Sequence, residues 1–201
     1  MSHYFTGNNT AHEFKEVEFR YSNKTYRFKT DRGVFSRDRI DYGSAILIDA
    51  VAKDRSAADD DAFIDMGAGY GPVGTVLADV LGARPIMVEV NSDALQLCEE
   101  NARTNKVIAE VMDRTGFDAH FSETVSFYVT NPPFRAGKSV VIEMIKGAHA
   151  YLYEGGAFYM VVQKKQGMAS YKKEIESRFG NVHTVVKDKG YYVLKGIKIA
   201  E

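Results

Sequence analysis

The sequence predicts an α/β fold with a mostly parallel seven-stranded sheet, an antiparallel last strand and an N-terminal β-hairpin. Three observations support this fold. From Ala62 onward, short apolar runs alternate with helical patterns of about a dozen residues. A glycine-rich loop follows the first apolar run, as at a strand-to-helix turn of such sheets. The last two apolar runs are too close for a crossover helix, so we expect that pair to be antiparallel.

The N-terminal part of the chain predicts a hairpin followed by a loop and a helix. Residues 12–30 alternate apolar and polar side chains on both sides of Ser22-Asn23-Lys24, which we interpret as a turn. A loop-like segment leads to a helical pattern over Ser44–Lys53, and the polar run SAADDDA connects it to the sheet. We therefore divide the chain into a hairpin extension, residues 1–40, and one main domain, residues 41–201.

The main domain is expected to alternate between strands and helices. The apolar runs predict strands at Ala62–Met66, Pro85–Val90, about Val107–Met112, Phe127–Thr130, Ala157–Gln163, His183–Asp188 and Gly190–Ile199. The helical patterns predict helices at Pro72–Leu81, Asp93–Thr104, Ser139–Leu152 (with a stop at Gly155-Gly156) and Tyr171–Phe179. Ser92 is the expected cap of the second of these helices, with Leu95, Cys98 and Ala102 on one face.

The composition predicts one globular, cytoplasmic protein. With 201 residues, 45% of them hydrophobic, the chain can bury one sizeable core. No apolar run approaches the roughly 18 residues of a membrane span, and the first ten residues lack the apolar stretch of a secretory signal. The single cysteine, Cys98, allows no internal disulfide, and the five histidines show no spacing of metal ligands. We therefore expect no metal site.

The charge is distributed unevenly along the chain. Residues 1–40 carry 8 basic and 5 acidic side chains, residues 41–163 carry 9 and 18, and residues 164–201 carry 9 and 4. A basic surplus at both ends is compatible with a local surface that binds a polyanion. The candidate cations are Arg135, Lys138, Lys164, Lys165, Lys172 and Lys173.

The loop Asp65-Met-Gly67-Ala68-Gly69-Tyr-Gly71 predicts a ligand site at the carboxyl end of the first strand of the sheet. Glycines there allow a ligand to approach the backbone closely. The segment from Gly69 to Gly74 also fits the dinucleotide pattern GxGxxG, which is weak evidence by itself.

Three acidic residues at the strand ends narrow the choice of ligand. Glu89 ends the second strand, where a carboxylate can accept from ribose hydroxyls, and Asp113 follows the third, where it can accept from an adenine amine. Asp65 precedes the glycines, where a pyrophosphate would meet an unfavourable negative charge but an ammonium group a favourable one. These positions favour S-adenosylmethionine over NAD. A structural role for Asp65, as a cap of the glycine loop, remains the alternative.

The segment Asn131-Pro132-Pro133-Phe134 ends the fourth strand and predicts a rigid turn at the same edge. The side-chain oxygen of Asn131 and the carbonyl of Pro132 can both accept from one planar NH2 group, and Phe134 can stack on the ring that carries it. Because the lone pair of such an amine is delocalised, two fixed acceptors and a positioned methyl donor favour reaction without a strong base.

With these motifs the chain resembles the class I S-adenosylmethionine-dependent methyltransferases, and more narrowly the methyltransferase small domain family, which includes 16S ribosomal RNA guanine-N2 methyltransferases. The segments that carry the resemblance run from residues 33–38 and 41–44 through the glycine loop, Glu89-Val90-Asn91 and Asn131–Phe134 to Gly155-Gly156. The resemblance implies a Rossmann-like fold and a loop at Phe35-Ser36 that closes over the cofactor side. The family more often has Asp at the position of Glu89.

The resemblance also implies the site residues. The expected cofactor-binding residues are Asp65, Gly67, Ala68, Gly69, Gly71, Glu89, Val90, Asp113 and Asn131. The expected catalytic residues are Asn131, Pro132, Pro133 and Phe134. The implied reaction is methyl transfer to an exocyclic base amine, with guanine N2 of ribosomal RNA as the leading target.

Three alternatives remain open from the sequence. Adenine N6 of RNA or DNA would use the same turn. Protein glutamine methyltransferases have a similar turn, but with Tyr at the fourth position and a helical N-terminal domain. A non-catalytic module that binds the cofactor or RNA is the third alternative. Whether the RNA is naked or part of an assembling particle, and whether the protein is a monomer or a homodimer, also stays open.

Overall fold

The computed structural model describes residues 11–55 and 61–200. The strands are β1 Lys15–Tyr21, β2 Lys24–Thr30, β3 Ala62–Met66, β4 Arg84–Glu89, β5 Glu110–Asp113, β6 Val125–Thr130, β7 Leu152–Gln163, β8 His183–Asp188 and β9 Tyr191–Ile197. The helices are α1 Tyr42–Asp54, α2 Pro72–Leu81, α3 Ser92–Thr104, α4 Arg114–His120, α5 Lys138–Tyr151 and α6 Met168–Phe179. Residues 1–10 of the predicted extension and most of the SAADDDA run lie outside the described residues.

Strands β3 to β9 form one seven-stranded sheet in the order β5-β4-β3-β6-β7-β9-β8. The pairs β3–β4, β3–β6, β4–β5 and β6–β7 are parallel, whereas β9 is antiparallel to both of its neighbours. A two-residue turn at Lys189 and Gly190, both at positive φ (47° and 81°), joins β8 to β9 and leaves no room for a crossover. The predicted fold class is therefore confirmed.

The sheet separates two parts of the core. On one face, α1 and α2 pack over residues such as Phe63, Phe127 and Tyr159, and the first two rings stack with centroids 4.5 Å apart. On the other face, α4, α5 and α6 cover a second cluster that includes Tyr128 and Phe158. Strand β6 lies between two strands and under both layers, and all six of its residues are buried, as expected of a central parallel strand.

The hairpin β1–β2 lies outside this sheet and is fastened to α3. Its turn consists of Ser22 and Asn23, both at positive φ (47° and 63°), one residue shorter than the predicted triplet. The side chain of Asn101 accepts from Lys29 N (2.7 Å) and donates to Lys29 O (2.9 Å), while Asn105 makes the same pair of bonds to Arg27 (3.1 and 2.8 Å). The two asparagines, one helical turn apart, thus bind the free edge of β2. We call this pair of side chains the asparagine clasp.

The third helix of the chain departs from the prediction in its cap and its buried face. The cap of α3 is Asn91 and not Ser92, because the Asn91 side chain accepts from the N–H groups of Asp93 (2.9 Å) and Ala94 (3.1 Å). Leu95 is half-buried, whereas Leu97 is buried together with Cys98. The helix therefore begins one residue earlier than predicted, and its buried face contains Leu97 in place of the predicted Leu95.

The structure differs from the predicted elements in two further segments, where the apolar pattern of the sequence is weak. Strand β5 begins at Glu110 rather than near Val107, and α4 follows it directly although no helix is predicted there. Of the seven residues of α4, only Phe117 is buried, so no amphipathic period is visible. Helix α5 ends at Tyr151, and Gly155 and Gly156 lie within β7 at an irregularity in its pairing with β6, not at the helix end.

None of the helices in residues 11–55 and 61–200 is long and apolar enough to cross a membrane. Within the same residues, no group of three or more histidine, cysteine or acidic side chains is arranged to hold a metal ion.

Candidate active site

The carboxyl ends of β3, β4, β5 and β6 bring the predicted site residues to one edge of the sheet. Met66 pairs with Thr130 at the ends of β3 and β6, so the glycine loop and Asn131 leave the sheet side by side. Glu89 pairs with Asp113 at the ends of β4 and β5. The sequence motifs, which are up to 66 residues apart between Asp65 and Asn131, therefore face one crevice.

The glycine loop is built so that its first two glycines border open space. Gly67 and Ala68 donate from their backbone N–H groups to Val88 O (2.9 and 3.0 Å), which holds the loop against β4. Gly67 and Gly69 have positive φ (77° and 59°), and nothing lies within 4 Å of the position that a Cβ would take on either residue. A ligand can therefore approach the backbone here.

Ala68 and Gly71 have a packing role in the same loop. Ala68 is buried in a small cluster with Met87 and Cys98, and a Cβ on Gly71 would lie 3.0 Å from Cys98 Sγ. Gly71, at φ 96°, is also the residue from which α2 begins. These two residues shape the loop and only their backbone groups remain for a ligand.

Asp65 is buried at the base of the loop, with 2% of its surface exposed. Its Oδ2 accepts from the backbone N–H of Gly74 in the first turn of α2 (2.8 Å), where helix N–H groups have no partner within the helix. Burial raises the pKa of Asp65 to about 7, and the nearby charge of Glu89 acts in the same direction. Asp65 thus caps the helix that follows the glycine loop, and none of the described residues provides a cation that compensates its carboxylate.

Glu89 is held rigidly by the backbone around it. Its Oε2 accepts from Gly69 N (2.7 Å), and its Oε1 accepts from Val90 N (2.8 Å) and Asn91 N (3.0 Å). A carboxylate has about four acceptor positions, so one remains for a further donor. The longer side chain of Glu, compared with Asp, is what allows this carboxylate to reach back to the glycine loop.

Asp113 and Val90 complete this end of the crevice. Asp113 is exposed, and its Oδ1 accepts from Gly116 N (2.9 Å) as the N-cap of α4. The other oxygen of Asp113 has no hydrogen bond to any described residue. Val90, directly after Glu89, has 51% of its surface exposed, so its apolar side chain is accessible at this end of the crevice.

The side chain of Asn131 is oriented by the start of α1. Its Nδ2 donates to Asp41 Oδ2 (2.9 Å) and to Ser44 Oγ (3.0 Å). Because an ionised carboxylate can only accept, the amide nitrogen must face Asp41, and the amide oxygen Oδ1 must point away from α1. Asp41 is itself the N-cap of α1, accepting from Ser44 N at 3.1 Å.

Gly43 and Tyr191 enclose this contact. A Cβ on Gly43 would lie 2.9 Å from Asp41 Oδ2, 3.2 Å from the Tyr191 ring and 3.6 Å from Asn131 Nδ2, so a larger residue would push these groups apart. Tyr191 lies on the α1 face of the sheet and Tyr192 on the opposite face, as expected for neighbours in a strand. Only Tyr191 is therefore beside Asn131.

The rest of the turn is stabilised by its own backbone. Phe134 N donates to Pro132 O (2.9 Å) and Ala136 N donates to Pro133 O (2.8 Å), so the short helical turn Phe134–Ala136 follows directly. The Pro132 carbonyl keeps one of its two lone pairs for another donor. The Phe134 ring packs on the α6 face, with its centroid 5.7 Å from that of Tyr171.

The loop at Phe35-Ser36 lies next to the glycine loop. Tyr70 Oη donates to Ser36 O (3.3 Å), and the Phe35 side chain, 67% exposed, extends into solvent. This contact agrees with the expected position of the loop on the cofactor side, while its closing over a ligand stays a prediction.

Asp41, Ser44 and Tyr191 are functional candidates whose roles the sequence did not indicate. Asp41 and Ser44 belong to a motif that was visible in the sequence, but their contact with Asn131 bridges residues 87 to 90 positions apart. Nothing local in the sequence signals such a contact. A Ser or Asp at the start of a helix is expected as a cap, and that expectation accounts for both residues without any partner.

Comparisons with known proteins agree with this architecture. A profile of the methyltransferase small domain family matches residues 25–195. The uncharacterized protein YbxB of Bacillus subtilis is 35% identical over 201 residues, 98% of each chain. Ribosomal RNA small subunit methyltransferase C of Shewanella piezotolerans is 27% identical over 83% of this chain and 47% of its own.

Among solved structures, the T. thermophilus 16S rRNA N2 methyltransferase, in complex with AdoMet and guanosine, superposes with a TM-score of 0.83. It is 26% identical and is matched over 92% of this chain and 50% of its own. The chain thus spans about half the length of the ribosomal RNA methyltransferases that it matches.

Proposed function

The chain belongs to the methyltransferase small domain family, and from this we propose that it transfers a methyl group from S-adenosylmethionine to an exocyclic base amine in RNA. The leading target is guanine N2 of ribosomal RNA, and the likeness to ribosomal RNA methyltransferases supports this choice. The contact of Asn131 with Asp41 and Ser44 carries the proposal, because it leaves one amide oxygen fixed as an acceptor beside the glycine loop.

S-adenosylmethionine is the cofactor of this family, and the residues at the strand ends fit it. Burial raises the pKa of Asp65 to about 7, no cation of residues 11–55 or 61–200 compensates it, and the methionine ammonium group would supply that positive charge. Gly67 and Gly69 leave open space at the backbone, and the remaining acceptor position of Glu89 suits a ribose hydroxyl. When bound, the cofactor supplies an electrophilic methyl group on a sulfonium centre.

At the other end of the cofactor, Asp113 and Val90 suit an adenine ring. The free oxygen of Asp113 can accept from the adenine amine, and the exposed Val90 side chain offers an apolar surface for the ring face. These assignments, with those of Ala68, Gly71 and Asn131, stay predictions from the sequence.

The turn Asn131–Phe134 would hold the target amine. Asn131 Oδ1 and the free lone pair of the Pro132 carbonyl accept the two hydrogens of the amine, and Phe134 stacks on the base. In methyl transfer the N–C bond would form as the bond from the methyl group to the sulfonium sulfur breaks and leaves a neutral thioether, so the amine nitrogen becomes cationic and one of its protons must leave. Neither acceptor is basic enough to keep that proton, so it passes to solvent after transfer. The chain's contribution is therefore positioning and electrostatic stabilisation rather than base catalysis.

We infer an RNA partner, either naked or in an assembling particle, and a cytoplasmic location, where such RNA is found. The division into residues 1–40 and 41–201 is retained as part of the proposal.

The function is tested by mass spectrometry of ribosomal RNA nucleosides from cells with and without the protein. We expect N2-methylguanosine to decrease in the deletion strain and to be restored by the wild-type chain but not by Asn131→Ala. Purified protein should transfer tritium from labelled S-adenosylmethionine to RNA from the deletion strain. An unchanged N2-methylguanosine level would contradict the guanine assignment. A lost N6-methyladenosine in the same nucleosides would then indicate adenine as the target, and a lost methylglutamine in cellular protein would indicate a protein target. No binding of S-adenosylmethionine or its demethylated product would contradict the proposal as a whole.

A further inference from the structure

On one side of Asn131, the strands of the sheet extend further beyond the end of β6 than they do on the other side. Thr130 ends β6 opposite Met160, but β7 continues to Gln163, which pairs with Tyr191 of β9. Tyr191 in turn pairs with Asp188, the last residue of β8. Three further residues correspond to roughly 10 Å of strand, so the ends of β7, β9 and β8 form a wall beside the turn that would hold the target base.

Side-chain contacts on both faces of the sheet connect this wall and its neighbouring helices to the active-site turn. On the α1 face, Tyr42 Oη donates to Asp188 Oδ2 (2.6 Å), one residue away from the Asp41 that orients Asn131. On the opposite face, the ring of Phe134 contacts the ring of Tyr171 in α6, the helix that follows β7. Between them, Lys164 N donates to Gly190 O (2.8 Å), which joins the end of β7 to the β8–β9 turn. The wall and the turn therefore form one continuous surface.

Six exposed cations line this surface, and we call them the basic rim: Arg135, Lys138, Lys164, Lys165, Lys187 and Lys189. In the part of the chain that the structure describes, none of the six forms an ion pair with a carboxylate. Lys187 and Lys189 lie over the rings of Tyr192 and Tyr42, at 5.6 and 5.2 Å from their centroids. Asp188 lies between them and is hydrogen-bonded to Tyr42. The positive charge of the rim is thus available to an external anion.

The basic residues of the hairpin are arranged in the opposite way. Of the eight cations between residues 11 and 40, six form ion pairs with carboxylates: Lys15, Lys24, Arg27, Lys29, Arg32 and Arg37. Each of these pairs has a nitrogen–oxygen distance of 3.3 Å or less. The sequence alone gives both ends of the chain a basic surplus, but at the hairpin acidic neighbours neutralise most of it.

We propose that the basic rim binds the phosphate backbone of single-stranded RNA that flanks the target base, and that the hairpin does not contribute to this binding. The inference rests on the proposed function, because it takes the substrate to be RNA. A base amine can enter the Asn131 turn only if the base is unpaired, which favours a single strand. Unpaired cations next to the exposed ring of Tyr42 and the partly exposed ring of Tyr191 match the mixture of charge and aromatic rings that binds single strands.

The rim is tested with two variants of equal charge. The rim variant carries Lys164→Gln, Lys165→Gln, Lys187→Gln and Lys189→Gln, and the matched hairpin variant carries Lys15→Gln, Lys24→Gln, Arg27→Gln and Arg32→Gln. The probe is a fluorescein-labelled single-stranded RNA of about 20 nucleotides, whose affinity for the full chain is measured by anisotropy at several salt concentrations. Binding of S-adenosylmethionine, measured by calorimetry, shows that each variant is folded.

We expect the rim variant to lose at least tenfold in RNA affinity at low salt, with the slope of log affinity against log salt shallower by about 3. The hairpin variant should bind RNA like the wild type. Equal losses in the two variants, or a loss in the hairpin variant alone, would overturn the proposal while leaving the methyltransferase function intact. If the wild type methylates RNA but the rim variant binds it normally, the rim is likewise excluded.

Two other outcomes distinguish a failure of the rim proposal from a failure of the proposed function. If the wild type neither binds nor methylates RNA but binds S-adenosylmethionine, the proposed substrate is wrong, and the rim proposal fails with it. If the rim variant instead loses methylation of a protein substrate, the surface binds an acidic polypeptide and not RNA. Weaker binding of a fully duplex RNA than of the single strand is the expected result for this surface.

Discussion

The amide nitrogen of Asn131 lies 2.9 Å from the carboxylate of Asp41, so the residue that caps α1 also fixes the orientation of the active-site turn. A free asparagine can present either its oxygen or its NH2 group to a substrate, and only the oxygen can accept from an amine. The negative charge of Asp41 removes this ambiguity, because it can pair only with the NH2 group. Asp41 and Ser44 are thus positioning residues that act through Asn131.

We expect Asp41→Asn to lower kcat by roughly 10- to 100-fold, the equivalent of a hydrogen bond to a charged group. Asparagine is as good an N-cap as aspartate, so α1 should remain capped. Its amide, however, no longer forces the NH2 group of Asn131 towards α1. Steady-state kinetics should show the decrease in kcat, with the KM for S-adenosylmethionine unchanged.

Ser44→Ala is the matched variant for this contact. It removes one of the two acceptors of Asn131 Nδ2 and keeps the charge of Asp41, so the decrease in kcat should be smaller than that of Asp41→Asn. Asn131→Ala should abolish transfer and leave cofactor binding nearly unchanged. If Asp41→Asn weakens cofactor binding or lowers the melting temperature in proportion to kcat, the positioning role is wrong.

Cofactor affinity should depend on the length of the side chain at position 89 as well as on its charge. In Glu89→Asp the carboxylate is one methylene shorter and cannot reach both Gly69 N and Asn91 N, which it now bridges. We expect this change to weaken cofactor binding by roughly tenfold or more, and Glu89→Ala to weaken it further. Calorimetric titration with S-adenosylhomocysteine measures both, and kcat at saturating cofactor should change little. Unaltered affinity in Glu89→Asp would show that the bridge to the glycine loop does not matter.

Asp65 should make cofactor affinity depend on pH. Because burial raises its pKa from 3.8 to about 7, the carboxyl is partly protonated at neutral pH in the free protein. The cofactor ammonium group needs the ionised form, so affinity should increase roughly eightfold between about pH 6 and about pH 7.5, with release of a proton. Calorimetry in buffers of different ionisation enthalpy detects that proton. In Asp65→Asn the affinity should be lower and independent of pH over this range.

Ionisation of the Asp65 carboxyl, which favours cofactor binding, should lower the free energy of unfolding of the cofactor-free protein. A carboxyl whose pKa is higher in the folded state contributes most stability below its unfolded value, near pH 4, and loses it as the pH increases through about 7. Thermal unfolding should therefore show Asp65→Asn to be more stable than the wild type at about pH 8, by up to a few kcal/mol. The difference should decrease on acidification and disappear below about pH 4, where the carboxyl is protonated in both states, and a difference that instead grows on acidification would contradict the assigned shift.

The asparagine clasp should link the hairpin to the glycine loop. Asn101 is buried and donates not only to Lys29 O but also to Tyr70 O (2.8 Å), whereas Asn105 donates to Arg27 O and Asn101 O and, among the described residues, has no hydrogen bond to the loop. We expect each change to alanine to destabilise the fold by roughly 2–4 kcal/mol, because buried backbone groups lose their partners. Only Asn101→Ala should also weaken cofactor binding. Equal effects on binding in the two variants would refute the link.

Much of the fold is predictable because its signals are local. Helix α2 has the predicted bounds, Pro72–Leu81, since a proline suited to the first turn and a glycine beyond the end mark it in the sequence. Helix α6 likewise ends at Phe179, before Gly180, as predicted, but it begins at Met168, three residues before the predicted Tyr171. Helix α4 was not predicted because its seven residues bury one side chain and leave no period to detect.

The candidate site was predictable in its strand-end positions but not in its contacts. Motifs at the ends of parallel strands must meet at one edge, which places the glycine loop, Glu89 and Asn131 together without further information. The contact of Asp41 with Asn131 depends on how α1 packs on the sheet, and the neutralised hairpin cations depend on side chains brought close by folding. Neither can be derived from spacing along the chain.

The asparagine clasp has a final consequence, for association between molecules. A two-stranded ribbon normally has two free edges, and each can accept a strand from another chain. In this protein, the outer edge of β2 is occupied by the side-chain amides of Asn101 and Asn105, which satisfy Arg27 and Lys29 as a third strand would. A side chain cannot continue the ladder, so no further strand can be added there. The clasp thus prevents polymerisation through this edge of the hairpin without requiring a third strand.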